Sequence, residues 1–253
     1  MKTKSNMTDN REINQVIQGD CLDVMKNIPD KSIDMILCDL PYGTTACKWD
    51  TIIPFEPLWE QYKRIIKDNG AIVLTASQPF TSALVMSNNK MFKYEWIWDK
   101  AKATGHTLCN KRPLKSHENI LVFSNGKETY NPIMGKGNPY NGRKNIKQSE
   151  EWKMGIKRND NDGQRFPRSV FYEKSGDRNV KLHPTQKPVA LFEYLIKTYT
   201  NEGDLVLDNC AGSGTTGVAC INLNRNYILI EKEPKYVDII RERLKQITNL
   251  KEK

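Results

Sequence analysis

The sequence places an acid, a turn and an aromatic side chain in one short loop, formed by Asp39, Leu40, Pro41 and Tyr42. The apolar run at residues 33–38 precedes this loop and predicts a buried strand. The Asp39 carboxylate and the Leu40 backbone carbonyl could accept both N–H groups of one amino nitrogen, while Pro41 fixes the turn. Tyr42 offers a face on which a planar base could stack. The loop suits chemistry at the exocyclic amino group of a base, although alone it could be an ordinary proline turn.

A second loop begins at Asp208 and contains Gly212 and Gly214. Glu231 follows 23 residues after Asp208, the distance at which an acid can bind the ribose hydroxyls of an adenosine cofactor. With Gly217 the glycines match the spacing G-x-G-x-x-G, but an acid directly before the loop would repel a pyrophosphate. The pattern therefore favours an adenosine that carries a cationic amino-acid end, such as S-adenosylmethionine. A glycine-rich turn without a ligand is the alternative.

Charge is distributed unevenly along the 253 residues, whose formal net charge is +9. Residues 100–181 hold 18 Lys and Arg against 8 Asp and Glu, so the rest of the chain is close to neutral. A basic segment on a near-neutral frame indicates a polyanionic partner, or else a solvated basic surface. The six cysteines include no C-x-x-C pair, which predicts free thiols and no metal site. With no signal peptide or membrane-spanning run in the sequence, we expect a cytoplasmic protein.

The elements that must position the two loops alternate between strands and helices at both ends of the chain. This alternation predicts an α/β domain with a mostly parallel sheet that is covered on both faces. In such sheets ligands bind beyond the carboxyl ends of the strands, where both loops would lie. We predict helices over residues 55–67, 80–86, 188–199, 215–223 and 234–247, and strands over residues 14–18, 33–38, 71–75, 92–98, 119–123, 205–207 and 227–230.

The loop at residues 39–42 and the loop at residues 208–214, taken together, resemble those of the DNA amino-methyltransferase family, which acts on adenine N6 or cytosine N4. The order of the motifs, catalytic first and cofactor-binding last, resembles the circularly permuted β class. The resemblance covers residues 13–125 and 182–248 and implies a catalytic domain with the Rossmann-like fold of S-adenosylmethionine-dependent methyltransferases. This fold has a seven-stranded, mostly parallel sheet with helices on both faces. The strands that precede the two loops should be adjacent at the centre of this sheet, so that both loops line one pocket. Residues 126–181 then occupy the position of an inserted target-recognition region.

The resemblance also implies which residues serve the site. The catalytic residues would be Asp39, Leu40, Pro41 and Tyr42, and the cofactor S-adenosylmethionine would be bound by Asp20, Lys187, Asp208, Cys210, Ala211, Gly212, Ser213, Gly214, Thr215 and Glu231. Lys187 belongs to the segment at residues 183–188, which resembles the family segment that closes over the methionine end of the cofactor. The chain departs from the family pattern at Leu40, where proline is usual, and at Cys210, where an aromatic residue is usual.

Double-stranded DNA is the partner that the resemblance implies, and the basic insertion supplies the charge to bind its phosphates. Contacts to DNA are expected from Lys111, Arg112, Arg143, Lys144, Arg165 and Arg168. A homodimer and a cognate restriction endonuclease are further partners that the resemblance raises.

The identity of the residue at position 39 bears on the target base. Asp39 rather than Ser favours adenine N6 over cytosine N4. Three other hypotheses stay open: a cytosine-N4 methyltransferase that uses the same residues, a non-catalytic DNA-binding protein that retains the fold, and a nicotinamide oxidoreductase. The last is remote, because it leaves both Tyr42 and the basic insertion without a role.

Overall fold

The computed structural model describes residues 13–44, 50–142, 160–174 and 186–251. The chain divides into two compact units, one formed by residues 1–131 and 169–253 and the other by residues 132–168. The larger unit contains an eight-stranded sheet with helices on both faces, which confirms the predicted α/β fold. No helix in the described part of the chain is both long and apolar enough to cross a bilayer.

The strands of the large sheet run in the order β1-β10-β9-β2-β3-β5-β4-β8. Their bounds are Gln15–Gln18 (β1), Ile33–Cys38 (β2), Ile66–Ala76 (β3), Phe92–Thr104 (β4), Lys115–Phe123 (β5), Val170–Tyr172 (β8), Leu205–Asp208 (β9) and Asn226–Glu231 (β10). The first five strands in this order, β1, β10, β9, β2 and β3, are parallel. Their carboxyl ends therefore lie at one edge of the sheet. Strand β5 is antiparallel to both β3 and β4, so β5 begins at that same edge.

The centre of the sheet joins the two strands that lead into the predicted functional loops. Strands β2 and β9 are parallel neighbours in which Met35 pairs with Val206 and Ile36 with Leu207. The Leu205 backbone N–H also donates to the Asp34 carboxylate at 3.0 Å. The structure thus confirms the prediction that these strands are adjacent, and both loops leave the sheet side by side.

In the part of the chain that the structure describes, six α-helices cover the sheet. Their bounds are Cys21–Met25 (α1), Phe55–Ile65 (α2), Phe80–Ser87 (α3), Val189–Tyr199 (α4), Thr215–Asn222 (α5) and Pro234–Lys251 (α6). Side chains of α1, α2 and α3 pack on one face of the sheet, and those of α4, α5 and α6 pack on the other. Strand β2 shows why both faces must be covered, since Ile36 and Cys38 belong to the first cluster while Met35 and Leu37 belong to the second.

Two expectations about the elements need correction. The sheet has eight strands rather than seven, because Val170–Tyr172 pairs in parallel with the edge strand β4. Helix α2 ends at Ile65 rather than near residue 67, because Ile66 already pairs with Ile33 in the sheet. Strand β3 consequently begins at Ile66 and includes residues 69 and 70.

The smaller unit contains a two-stranded antiparallel ribbon, Gly135–Lys136 (β6) with Gln164–Arg165 (β7). Tyr140 and Asn161 form an isolated bridge beyond it. The Arg165 guanidinium lies 4.9 Å from the centroid of the Tyr140 ring, as in a cation–π contact. This unit falls inside the segment at residues 126–181, whose role in target recognition stays a prediction.

Candidate active site

A cavity of about 700 Å³ lies at the edge of the sheet where the parallel strands end. Its lining includes Asp39 and Tyr42 from the loop after β2, and Asp208 and Gly212 from the loop after β9. Glu231, at the end of β10, lines the same cavity. The two loops that were singled out in the sequence therefore face one space, in which a cofactor and a substrate group could meet.

Asp208 is a buried carboxylate at the start of the glycine-containing loop, and its residue is only 3% exposed. It accepts hydrogen bonds from the Cys210 backbone N–H at 3.1 Å and from the Thr216 hydroxyl. Burial raises the pKa of Asp208 from 3.8 to about 7, because these hydrogen bonds only partly offset the loss of solvation. A bound cation would favour the ionised form of this group.

Glu231 holds the other side of the same loop. One of its carboxylate oxygens accepts the Gly212 N–H at 2.8 Å, and the other accepts the Glu233 N–H at 2.9 Å. Burial raises the pKa of Glu231. Gly214 has a left-handed backbone with φ of 77°, and an added Cβ would lie 2.9 Å from Ile240 on α6. The structure therefore gives Gly214 a packing role, whereas Gly212 lines the cavity.

The donor and acceptor set around the cavity fits S-adenosylmethionine. Asp20 lines the cavity beside Glu231, and its carboxylate also caps α1 by accepting the Leu22 N–H at 3.0 Å. Acceptors for hydroxyl and amino groups are thus grouped on one side, and the buried Asp208 offers a carboxylate to a cationic ligand. The cavity is also lined by Cys210, Ala211, Ser213 and Thr215, which the sequence had assigned to the cofactor.

Asp39 is the centre of a second group of contacts in the same cavity. One of its oxygens accepts hydrogen bonds from the Tyr42 hydroxyl at 2.7 Å and from the Thr75 hydroxyl. The other accepts from the Lys187 ammonium at 2.6 Å. Three donors thus fix the Asp39 side chain, which retains a further lone pair for another donor.

Tyr42 is held by its ring as well as by its hydroxyl. The ring stacks on Phe80 with centroids 5.3 Å apart, and the Lys187 ammonium lies 5.6 Å from its centroid. Burial raises the pKa of the Tyr42 hydroxyl, so it acts as a neutral donor to Asp39. The following turn is held by the Asp50 carboxylate, which accepts the N–H groups of Gly43 and Thr44, each at 2.9 Å.

Lys187 and Glu118 form an arrangement that sequence reasoning missed. Lys187 had been assigned to the methionine end of the cofactor, but the structure places its ammonium on Asp39 and 3.3 Å from Glu118. Glu118 also pairs with Lys100 at 3.1 Å. The available signal was a lone acid within a basic stretch, directly before an apolar strand. Only the antiparallel pairing of β5 brings that acid to the edge of the sheet where Asp39 lies.

The predicted DNA-contacting residues that the structure describes are divided between the two units. Lys111 and Arg112 are exposed in a turn of the larger unit. Arg165 contacts Tyr140 in the smaller unit, where Arg168 is exposed. Arg143 and Lys144 lie outside the described residues, as do residues 183–185 of the segment before Lys187. Among the described residues no cluster of His, Cys, Asp and Glu suited to a metal ion occurs.

The fold and the cavity together define the class of protein, an α/β methyltransferase built around S-adenosylmethionine. The chain belongs to the DNA methylase family, whose sequence profile matches residues 33–242 and which comprises amino-methyltransferases of the adenine-N6 and cytosine-N4 type. Among curated relatives, the type II methyltransferase M1.MboII of Moraxella bovis is 31% identical over 254 residues, which span 90% of this chain and 95% of the relative. M2.MboI of the same organism is 29% identical over 266 residues, 95% of this chain and 90% of the relative.

Solved structures agree with this assignment. The M1.HpyAVI–SAM complex superposes with a TM-score of 0.62 at 26% identity, covering 91% of this chain and 98% of that one. The PvuII DNA methyltransferase, described as cytosine-N4-specific, shares the fold with a TM-score of 0.64 at 16% identity, covering 93% of this chain and 91% of that one. S-adenosylmethionine is therefore the cofactor, and the protein is a DNA methyltransferase.

Proposed function

We propose that this protein is a site-specific methyltransferase that modifies the N6 amino group of adenine in double-stranded DNA. The observation that carries the proposal is the Asp39 carboxylate, which faces the same cavity as the cofactor loop and is held by Tyr42, Thr75 and Lys187. An aspartate at this position, rather than a serine, favours adenine over cytosine within the family that the chain resembles.

The amino group of a base is a poor nucleophile, because its lone pair is delocalised into the ring. Asp39 accepts one N–H of this group and the Leu40 backbone carbonyl accepts the other. Two acceptors on the same nitrogen favour a pyramidal geometry, in which the lone pair is no longer delocalised into the ring. Pro41 holds the carbonyl and the carboxylate at a fixed separation. Since Leu40 acts through its backbone, the absence of the usual proline leaves this function intact.

A base inside a duplex cannot reach such a cavity, so the target nucleotide must leave the stack. Tyr42 receives the extruded base on its ring, whose orientation is fixed by the stacking on Phe80 and by the hydroxyl bonds to Asp39 and Thr75. A tyrosine that is already held costs little conformational entropy when the base binds. Positive side chains of the insertion, Arg165 and Arg168 among them, would neutralise phosphates of the bound duplex.

Asp20, Asp208 and Glu231 would hold the cofactor, with the two strand-end acids on its amino-acid and ribose ends respectively. When bound, S-adenosylmethionine supplies an electrophilic methyl group. The protein contributes orientation and the exclusion of water, and it forms no covalent bond to the base. Cys38 is buried behind the loop, so its thiol is not placed as a nucleophile.

The test is the identity of the modified base. Duplex DNA lacking methylation is incubated with the protein and S-adenosylmethionine, digested to nucleosides and analysed by mass spectrometry. We expect N6-methyldeoxyadenosine, and single-molecule sequencing of the same DNA gives the recognition sequence. N4-methyldeoxycytidine as the product would refute adenine specificity, and no methylated base at all would favour a non-catalytic DNA-binding protein.

The roles of the side chains are tested with Asp39→Ala, which we expect to abolish detectable transfer while leaving S-adenosylmethionine binding in place. The matched control is Asp238→Ala, which removes an exposed acid from α6. Near-normal methylation by a folded Asp39→Ala protein would contradict the assignment.

A further inference from the structure

Four charged side chains form a chain along one wall of the cavity. Lys100 pairs with Glu118 at 3.1 Å, Glu118 lies 3.3 Å from Lys187, and Lys187 pairs with Asp39 at 2.6 Å. All four residues line the cavity, and their charges alternate in sign. Lys100 lies in β4, Glu118 lies in β5 and Asp39 lies in the loop after β2, and these elements meet at this edge of the sheet. The proposed reaction gives a role to Asp39 and to Lys187 as its support, but none to Lys100 or Glu118.

Both members of the central pair are charged at neutral pH. Burial acts to lower the pKa of Lys187, but the Asp39 and Glu118 carboxylates outweigh it and the pKa is raised. Burial likewise acts to raise the pKa of Glu118, but Lys187 and Lys100 outweigh it and the pKa is lowered. Buried ion pairs of this kind contribute little to net stability, since desolvation offsets their attraction. Stability alone therefore does not account for an ion pair at this place, beside the catalytic carboxylate.

Glu118 carries an unused acceptor. The contact between the Lys187 ammonium and Glu118 Oε2 is close enough for an ion pair, but its geometry is not that of a hydrogen bond. Within the described part of the chain, Oε2 is buried and has no hydrogen-bond partner. The Lys187 ammonium therefore pairs with Asp39, and the second carboxylate oxygen near it, Glu118 Oε2, lies 3.3 Å away.

The proposed reaction adds a fourth donor to the Asp39 carboxylate, which already accepts from Tyr42, Thr75 and Lys187. When the amino group of the base donates to Asp39, it competes with the Lys187 ammonium for the same carboxylate. The ammonium also lies 5.6 Å from the Tyr42 ring, next to the place where the base would stack. A displacement of roughly half an ångström would bring it to hydrogen-bond distance of Glu118 Oε2. Glu118 Oε2, which has no hydrogen-bond partner among the described residues before the base enters, would then gain one.

We propose that Glu118 is a positioning residue that takes the Lys187 ammonium from Asp39 as the target amino group binds. The inference rests on the proposed function, in which Asp39 accepts an N–H from the base. Glu118 does not touch the base and acts only through Lys187. Lys187 in turn keeps Asp39 oriented in the empty site and releases it when a competing donor arrives.

The test compares Glu118→Gln with the control Glu95→Gln, which removes the charge of an exposed acid in the same sheet and leaves an amide oxygen to accept the hydrogen bond from Asn119. The assay is single-turnover transfer of tritiated methyl groups to duplex DNA that the unmodified protein methylates, and it does not depend on which base is the product. We expect Glu118→Gln to lower the transfer rate roughly tenfold to hundredfold, the worth of one charged hydrogen bond. Binding of S-adenosylmethionine, measured by calorimetry, should change less than twofold.

The pH profile separates this role from simple structural damage. The Glu118 carboxylate helps to raise the pKa of Lys187, so this pKa is lower in Glu118→Gln. The ammonium of the variant therefore loses its proton more readily as pH rises, its hold on Asp39 weakens, and the rate deficit of Glu118→Gln should become smaller with increasing pH. The titratable groups that contact this ammonium are Asp39, Glu118 and the Tyr42 ring, and Asp39 and Tyr42 are retained in both variants, as is Lys100 on the other side of Glu118.

A Glu118→Gln rate that equals that of Glu95→Gln, or that is lowered by the same factor at every pH, would overturn the inference. If Glu118→Gln does not fold, Glu118→Asp provides the comparison: it retains the charge, and we expect a smaller loss that does not recover with pH. A loss for Glu118→Asp that did recover with pH would also overturn the inference. Absence of transfer by the unmodified protein would instead refute the proposed function.

Discussion

Asp208 is a carboxylate whose burial should cost the folded protein stability in the absence of cofactor. The perturbation that exposes this cost is Asp208→Asn, which keeps the shape of the side chain and removes its charge. The amide oxygen can still accept the Cys210 N–H, and the Thr216 hydroxyl can turn to accept from the amide nitrogen. We therefore expect the variant to be more stable than the unmodified protein once Asp208 ionises.

The magnitude follows from the pKa. Burial raises the pKa of Asp208 from 3.8 to about 7, so the folded state holds this proton more tightly than the unfolded state does. The stability that the protonated group contributes is complete below the unfolded pKa and is lost as pH rises to 7. At 1.36 kcal/mol per pKa unit the total loss is about 4 kcal/mol, of which about 2 kcal/mol falls between pH 5.5 and pH 8.5.

The assay is urea unfolding followed by tryptophan fluorescence, with both proteins measured at pH 5.5 and pH 8.5. The quantity of interest is the difference in unfolding free energy between Asp208→Asn and the unmodified protein. This difference should grow by about 2 kcal/mol from the lower to the higher pH, because titrations common to both proteins cancel. The exposed acid Asp238 provides the control, since Asp238→Asn should give a difference that is nearly independent of pH.

Binding of the cofactor should become stronger as pH rises, whereas the stability of the cofactor-free protein should fall. Because a cationic ligand favours the ionised form of Asp208, the affinity for S-adenosylmethionine should rise with pH through about 7. In Asp208→Asn the affinity should be weaker and flat across the same interval. Parallel stability profiles for the two proteins would refute the reasoning, since Asp208 would then not titrate in this range.

Three further variants probe a glycine of the cofactor loop, a hydrogen bond that supports this loop, and the aromatic ring on which the base would stack. Gly214→Ala forces a side chain into a left-handed backbone and against Ile240, so unfolding free energy measured in urea should fall by about 2 to 4 kcal/mol. Tyr62→Phe removes the 2.6 Å hydrogen bond to the buried Asn209 side chain, and a loss of about 1 to 3 kcal/mol should accompany weaker S-adenosylmethionine binding in calorimetry. Tyr42→Ala should lower kcat/KM for DNA at least tenfold more than Tyr42→Phe, because only alanine removes the stacking face; equal losses would show that the hydroxyl matters instead.

The two loops of the site could be predicted from the sequence because their placement follows from general rules. An acid directly after a buried strand lies at the carboxyl edge of a parallel sheet, and this holds for both Asp39 and Asp208. The pairing of β2 with β9 then followed from the family order of motifs. Periodicity was sufficient for the helices, whose apolar faces repeat along the chain.

The roles of Lys187 and Glu118 could not be predicted in this way. Their meeting depends on the antiparallel register of β5, which sets Glu118 opposite Trp98 and one position beyond the end of β3. No local pattern encodes such a register, because it results from packing across several strands. Strand β8 was missed for a related reason: Val170–Tyr172 is short and becomes a strand only by pairing with β4.

The adjacency of β2 and β9 has a consequence for the folding of the protein during its synthesis on the ribosome. Leu205 donates to Asp34 across 171 residues of sequence, so the central strand lacks one neighbour until that much more chain has been made. At roughly 5 to 20 residues per second this takes about 10 to 30 s. Strands β3, β4 and β5 are contiguous and can assemble earlier, leaving an apolar edge of β2 open to solvent and to other nascent chains. That edge therefore stays without its partner strand until residues 205–208 have been made.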